Sequence, residues 1–179
     1  MISELLTLPV LLGILASGIR LAAPYLYAGI GETFGQRSGV LNLGVEGQML
    51  MGAFAAFYIA MQTGSLWLSV VAAIIIGGVT GLAMALASVT LRAQQGISGI
   101  GFYLFGLGLS DLLFQKMLGT VQTVSGFPRI PLPLLSQIPL LGEVFFNHNI
   151  LVYGAYLLVP VAAFVMNQTT FGLNVRAVG

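Results

Sequence analysis

The segment from Gly47 to Leu91 contains no charged side chain, and this run constrains the fold more than any other feature of the chain. A helix needs about 20 apolar residues to cross a bilayer, so the run is long enough for two crossings. The polar residues 62–65 mark the break between them. Charged residues make up only 6% of the sequence and the mean hydropathy is +1.01, which is outside the range of soluble domains. The composition therefore predicts an all-α polytopic membrane helix bundle.

Further apolar segments predict additional crossings and bring the expected total to about five, within a single transmembrane domain of residues 1–179. Two of these segments contain a proline: Pro24 suggests a kink or break, and Pro160 suggests a bend. The expected spans are Leu5–Gly31, two within Gly47–Leu91 of which the second begins at Leu66, Ala93–Ser110, and Ile150–Asn167.

Residues 117–149 contain four of the seven prolines, which argues against another crossing there. We expect this segment to form a structured external loop, either as a plain connector or as a docking surface for a partner. Lysine and arginine favour the cytoplasmic ends of spans, and the larger group of basic residues therefore predicts a cytoplasmic C-terminus. The two groups are Arg37, Arg92 and Arg176 on one side, and Lys116 and Arg129 on the other.

Small residues mark two candidate packing surfaces. In the third span they recur every four positions and line one face, where backbones can approach closely. The fourth span is so rich in glycine that a broken or gating helix is as plausible there as tight packing. The first set is Ala73, Gly77, Gly81 and Ala85, and the second is Gly96, Gly99, Gly101, Gly106 and Gly108.

Catalytic, metal-binding and nucleic-acid-binding functions are disfavoured by the inventory of side chains. The chain has no cysteine, and its only histidine, His148, has no neighbouring carboxylates, so we interpret it as a solvated loop residue. The only lysine, Lys116, does not lie in a nucleotide-binding loop. A net charge of +1 offers no basic face for nucleic acid. We therefore expect neither an enzyme nor a bound cofactor or metal.

Six polar side chains lie at or near membrane depth, where such groups normally face the bundle interior or a watery path. Glu46 is the most informative of them, because Gly44 and Gly47 flank it and allow other groups to approach. A carboxylate at a helix start is also favoured by the exposed amides, so a capping role stays open. The six residues are Arg20, Asn42, Glu46, Gln48, Asp111 and Gln115.

The run Gly39–Ala53 closely resembles the early membrane motif of permease subunits in ABC importers for nucleosides and simple sugars, the ribose-type group. The tail Thr169–Gly179 is similar to the opening of that family's cytoplasmic coupling segment, which we expect over residues 168–179. Members of the family are longer, so the resemblance implies a truncated product or a fragment.

The resemblance implies a multi-pass protein of the plasma or inner membrane that works by alternating access. Its expected partners are a second permease subunit, a cytoplasmic ATP-binding subunit and an extracytoplasmic solute-binding protein, besides the lipid bilayer. Asn42, Glu46 and Gln48 are then expected to lie near the solute path or to brace the helix beside it. Contacts to the ATPase are expected from the loop that carries Phe171, Gly172, Arg176 and Gly179.

Three alternatives remain open at the level of sequence. Glu46 can serve as the titrating group of an ion- or proton-coupled secondary carrier. Permeases for branched-chain amino acids share a related architecture. A bundle that only scaffolds a complex would need the packing residues Gly77, Gly81 and Ala85 but not Glu46.

Overall fold

The computed structural model describes residues 7–120, 123–133, 135–139 and 141–179. Seven α-helices are found in this part of the chain, together with one short antiparallel sheet. The helices are α1 (Leu8–Arg37), α2 (Val45–Thr63), α3 (Leu66–Ala85, continued by a π turn at Leu86–Thr90), α4 (Gln95–Met117), α5 (Leu141–Phe145), α6 (Ile150–Gln168) and α7 (Thr170–Val178). The strands are β1 (Arg129–Pro131) and β2 (Asn147–Asn149), with a 3-10 turn at Leu135–Gln137 between them.

Four of the described helices are long and apolar enough to cross a membrane, which confirms the all-α membrane fold. They are α1, α3 with its π turn, α4 and α6. Helix α2 has the same length as α6 but is less apolar, since it carries Glu46 and Gln48 in its first turns. The count of about five crossings therefore stays a prediction. The expected start of the first span at Leu5 lies outside the described residues.

Two expected interruptions are absent from the helices. Pro24 lies inside α1, which runs unbroken to Arg37, and the glycine-rich fourth span is the continuous 23-residue helix α4. A proline removes one hydrogen bond of the helix, and neighbouring groups in a membrane bundle can compensate for it. By contrast, the predicted break at residues 62–65 is confirmed, because α2 ends at Thr63 with Gly64 in the left-handed conformation and Ser65 caps α3.

The chain divides into two compact units, and the first comprises the described parts of residues 1–31 and 127–172. Within it, α1 packs on α6 through a core of Ala23, Val152 and Ala155. The Tyr27 hydroxyl donates a hydrogen bond of 2.7 Å to the carbonyl oxygen of Leu151 at the start of α6. Small side chains and one long-range hydrogen bond thus hold the two helices of this unit together.

The same unit contains most of segment 117–149, where β1 pairs antiparallel with β2. His148 lies in β2 and is only 3% exposed, with its Nε2 donating to the carbonyl oxygen of Val144 at 2.7 Å. Its backbone N–H is bonded to the Tyr153 hydroxyl, which in turn donates to Ile130. The interpretation of His148 as a solvated loop residue is therefore wrong, because the segment folds around it. The external location of the segment stays a prediction.

The second unit comprises the described parts of residues 32–126 together with 173–179. Its helices α2, α3 and α4 form the tightest packing in the unit, with α2 contacting both others. The turn of residues 38–44 enters α2. The main chain at Gly179 lies against Gly39 of that turn and against Arg37 at the end of α1. This end of the unit contains the motif that the sequence singled out.

Candidate functional site at the entrance to α2

The local sequence explains how the turn before α2 forms. Gly39 has a φ of +80°, a left-handed conformation that ends α1 and that other residues adopt at a cost. The Val40 N–H then bonds back to the Gly35 carbonyl oxygen at 2.9 Å. Asn42 closes the turn, since its Oδ1 accepts the N–H of Gly44, the residue that precedes α2. Glycine and asparagine thus direct the chain into the helix.

The structure brings Asn42 and Gln48 together, a pairing that was not predicted from the sequence. The Asn42 Nδ2 donates to the Gln48 Oε1 at 3.0 Å. The other amide atom of Gln48, Nε2, is buried and has no hydrogen-bond partner in the described part of the chain. A buried donor without an acceptor costs about 1–3 kcal/mol, so this atom is a candidate to bind something further.

Glu46 is placed differently from these two amides. It lies in the first turn of α2, where the helix dipole favours a carboxylate, and its side chain is exposed. Its carboxylate makes no hydrogen bond or ion pair to the residues that the structure describes. The suggested bracing contact is therefore not formed within the described chain, and a role beside the solute path stays a prediction.

The bracing carboxylate is instead Glu32, near the end of α1. Its Oε1 accepts the backbone N–H of Asn42 at 3.0 Å and also the side-chain amide of Gln36 at 3.2 Å. The sequence offered a weak signal for this contact, since Glu32 is the one acidic residue of a mostly apolar helix. Glu32 and Asn42 are ten residues apart in the sequence, and no helical or strand pattern relates the two positions.

Gln95, at the start of α4, is a second residue that sequence reasoning missed. Its Oε1 accepts the N–H of Leu41 at 2.8 Å, and its Nε2 donates to the Gly39 carbonyl oxygen at 3.2 Å. Both bonds reach the backbone of the turn from more than 50 residues away. Three helices thus hold the turn: α1 through Glu32, α2 through Gln48 and α4 through Gln95.

Glycines allow α2 to lie directly against α4. A methyl group at Gly47 would lie 2.7 Å from the Phe102 carbonyl oxygen, and one at Gly44 would lie 2.8 Å from the Phe102 Cβ. On the opposite helix, a methyl group at Gly106 would overlap the backbone of Gly47, and one at Gly99 would lie 2.8 Å from the Leu43 Cβ. Gly99 and Gly106 of α4 therefore serve close contact, whereas Gly96, Gly101 and Gly108 have no described atom within 4 Å.

The face predicted on α3 is only partly used within the chain. Ala73 lies in ordinary contact with Gly52 of α2. A methyl group at Gly77 or Gly81 would meet no atom within 4 Å among the described residues, and Ala85 is half-buried. Close packing at Gly77 and Gly81 is not formed among the described residues, and the packing role of Gly77, Gly81 and Ala85 stays a prediction.

The tail that resembles a coupling segment is helical. Helix α7 starts at Thr170, and the Thr169 hydroxyl oxygen accepts the N–H of Gly172 at 3.2 Å, as a helix-capping residue does. Gly172 is buried against the carbonyl groups of Val165 and Met166, whereas Phe171 is 58% exposed. The expected loop from Phe171 is therefore corrected to a helix, which forms because its first turn is capped.

Comparison with known proteins identifies the family. Residues 14–179 match the profile of the family described as branched-chain amino acid transport system, permease component. The chain belongs to this permease family. It is thus a member of a family of multi-pass membrane proteins, in agreement with its four apolar helices.

Several relatives of this permease-family chain are named as permeases for sugars and nucleosides. It is 37% identical to a proposed glucose ABC transporter permease of Haloferax volcanii, over 93% of this chain and 51% of the relative. It is 34% identical to a guanosine ABC transporter permease of Bacillus subtilis, over 88% and 53%. It is 31% identical to a nucleoside ABC transporter permease of Lactococcus lactis, over 93% and 55%. The chain spans about half the length of these relatives, and no solved structure matches it significantly.

Proposed function

We propose that this chain is part of the permease subunit of an ATP-driven importer for nucleosides or simple sugars. The observation that carries the proposal is the match of residues 14–179 to the permease family, with relatives named for glucose, guanosine and nucleoside transport. The proposed partners are a second permease subunit, a cytoplasmic ATP-binding subunit and an extracytoplasmic solute-binding protein. The C-terminus lies on the cytoplasmic side, with residues 117–149 outside.

The side chains at the entrance to α2 suit a neutral, hydroxyl-rich solute. Asn42 and Gln48 are uncharged amides held by a mutual hydrogen bond, and amides pair with hydroxyl and carbonyl groups in both directions. The unpaired Nε2 of Gln48 is a buried hydrogen-bond donor. In such a low-dielectric environment a hydrogen bond to an acceptor is stronger than in water. In this proposal the helices part during transport and an oxygen atom of the solute becomes that acceptor.

The tail supplies the contact to the ATP-binding subunit. Phe171 presents an exposed aromatic ring at the start of α7, and Arg176 follows in the last turn of the same helix. Buried Gly172 holds α7 close to the end of α6. An apolar anchor and a charged group on one short helix match what a docking segment needs.

Uptake measurements with the complete importer test the proposal. Labelled glucose, guanosine and leucine are offered to vesicles that contain the permease and its partners, with ATP or with a pH gradient alone. We expect ATP-dependent uptake of a sugar or nucleoside. The Gln48→Leu variant should raise the KM for that solute about tenfold, since one hydrogen bond is worth about 1–1.5 kcal/mol.

The matched control is Gln94→Leu, because Gln94 is an exposed glutamine whose side chain makes no hydrogen bond among the described residues. A KM that does not differ between the two variants would remove Gln48 from the solute path. Uptake driven by a pH gradient without ATP, and lost in Glu46→Gln, would establish the secondary carrier instead. Uptake of leucine but of neither sugar nor nucleoside would establish the amino-acid permease.

A further inference from the structure

Residues 39–41, in the middle of the turn 38–44, are bound by one side chain of a helix that is distant in sequence. Gln95 uses both ends of its amide, accepting from the Leu41 N–H and donating to the Gly39 carbonyl oxygen. A neighbouring β-strand would bind a backbone N–H and a backbone carbonyl group in a similar way, but here one side chain makes both bonds. Both partners are backbone groups, so the contact does not depend on which side chains the turn carries.

The held turn lies where several moving parts of an importer would meet. Asn42 follows it directly, with its N–H bound to Glu32 of α1 and its side chain bound to Gln48 of α2. The main chain at Gly179, at the end of α7, lies against Gly39 on the other side of the turn. The second unit therefore contains a continuous contact from the tail, through the turn, to the amide pair.

We propose that Gln95 is a positioning residue that makes the turn 39–41 a stiff link between the tail and the amide pair Asn42–Gln48. This inference rests on the proposed importer function. Gln95 does not touch the solute. It fixes two of the three successive backbone positions, so a displacement of the turn moves Asn42 and the start of α4 together instead of being absorbed by a flexible loop.

The test measures solute imported per ATP hydrolysed in the complete importer. Gln95→Met has a similar length and loses both hydrogen bonds, so we expect about a tenfold lower uptake rate per permease molecule, with the ATPase rate within twofold of the original. Gln95→Glu keeps the acceptor for Leu41 and loses the donor for Gly39, so its loss should be smaller, about threefold. Gln94→Met is the control and should retain the original ratio of solute to ATP.

A second readout reports the turn itself. The chain has no cysteine, so Leu41→Cys introduces a single, partly exposed thiol. Its labelling by a maleimide should become at least fivefold faster when Gln95→Met is added, and should not change with Gln94→Met. Faster labelling with an intact ratio of solute to ATP would overturn the proposal, because a loosened turn would then have no effect on coupling.

Three further outcomes distinguish the inference from the proposed function. If both Gln95 variants only lower the amount of permease in the membrane, with transport per molecule intact, Gln95 is a folding residue and the proposal is wrong. If the original protein shows ATP-dependent uptake and the Gln95 variants match the control, the inference fails while the proposed function stands. A lack of ATP-dependent uptake in the original protein would refute the proposed function.

Discussion

Two glycine-containing surfaces of the second unit look alike in sequence and differ in structure. On α4, Gly99 and Gly106 lie against the backbone or side chain of the segment that enters α2. On α3, Gly77 and Gly81 have no described atom within 4 Å of where a side chain would begin. The first surface is a close helix contact within the chain, and the second has no such contact among the described residues.

The difference shows that the spacing of small residues identifies a face but not its partner. A four-residue repeat makes a smooth strip on any helix, whether or not another backbone lies on it. What distinguishes α4 is that its opposite helix also has glycines, at Gly44 and Gly47, so that the two backbones touch. A reciprocal set of small residues is therefore a better sign of contact within the chain than one regular set.

The largest decrease in the free energy of unfolding should come from Gly106→Ala. The new methyl group would overlap the backbone of Gly47, which a rotamer change cannot relieve, so α2 and α4 must separate. Overpacking of this kind costs about 1–3 kcal/mol, and we expect the upper end because both sides are helix backbone. The free energy of unfolding in detergent micelles, followed by circular dichroism during titration with dodecyl sulfate, measures it.

Gly108→Ala is the matched control for that variant, since it lies on the same helix with no described atom within 4 Å of the added methyl group. Its free energy of unfolding should remain within about 0.5 kcal/mol of the original protein. Equal losses in both variants would show that glycine acts on α4 itself and not on the contact with α2.

A smaller decrease in the free energy of unfolding is expected from Gly99→Ala. The methyl group would lie 2.8 Å from the Leu43 Cβ and 2.9 Å from the Leu43 nitrogen, but Leu43 belongs to the turn before α2 and can shift. We expect about 1 kcal/mol of destabilisation in the same titration, with Gly101→Ala unaffected. A loss as large as that of Gly106→Ala would mean that the turn is as rigid as the helices.

The long apolar helices could be predicted because hydrocarbon imposes a pattern that each segment shows by itself. The charge-free run and the break at residues 62–65 correspond to α2 and α3, and the apolar segment 150–167 corresponds to α6. That α4 is one continuous helix could not be predicted in the same way. Helix propensity assigns a cost to each glycine in α4. It does not take account of the neighbouring backbone that requires glycine at Gly99 and Gly106.

The candidate site was predicted in part for a related reason. Asn42 and Gln48 could be singled out because both lie in one motif, but the hydrogen bond between them was not predicted. Glu32 and Gln95 bind backbone groups of the turn. Every residue type has such groups, so the sequence does not show which of them a side chain will bind. His148 was misjudged for the same reason, because its partners are a carbonyl oxygen and a tyrosine hydroxyl brought close by the fold.

The smallest effect in the isolated chain should come from Gly81→Ala on the open surface of α3. No described atom lies within 4 Å of the new methyl group, so the free energy of unfolding should change by less than about 0.5 kcal/mol, unlike that of Gly106→Ala. In the complete importer the same change should matter if another helix lies on this face, since a methyl group then holds two backbones apart. Assembly of the importer from purified subunits, measured by native gel or light scattering, separates these cases. Reduced assembly with unchanged chain stability would show that the face packs on a partner, and unchanged assembly would leave it facing lipid.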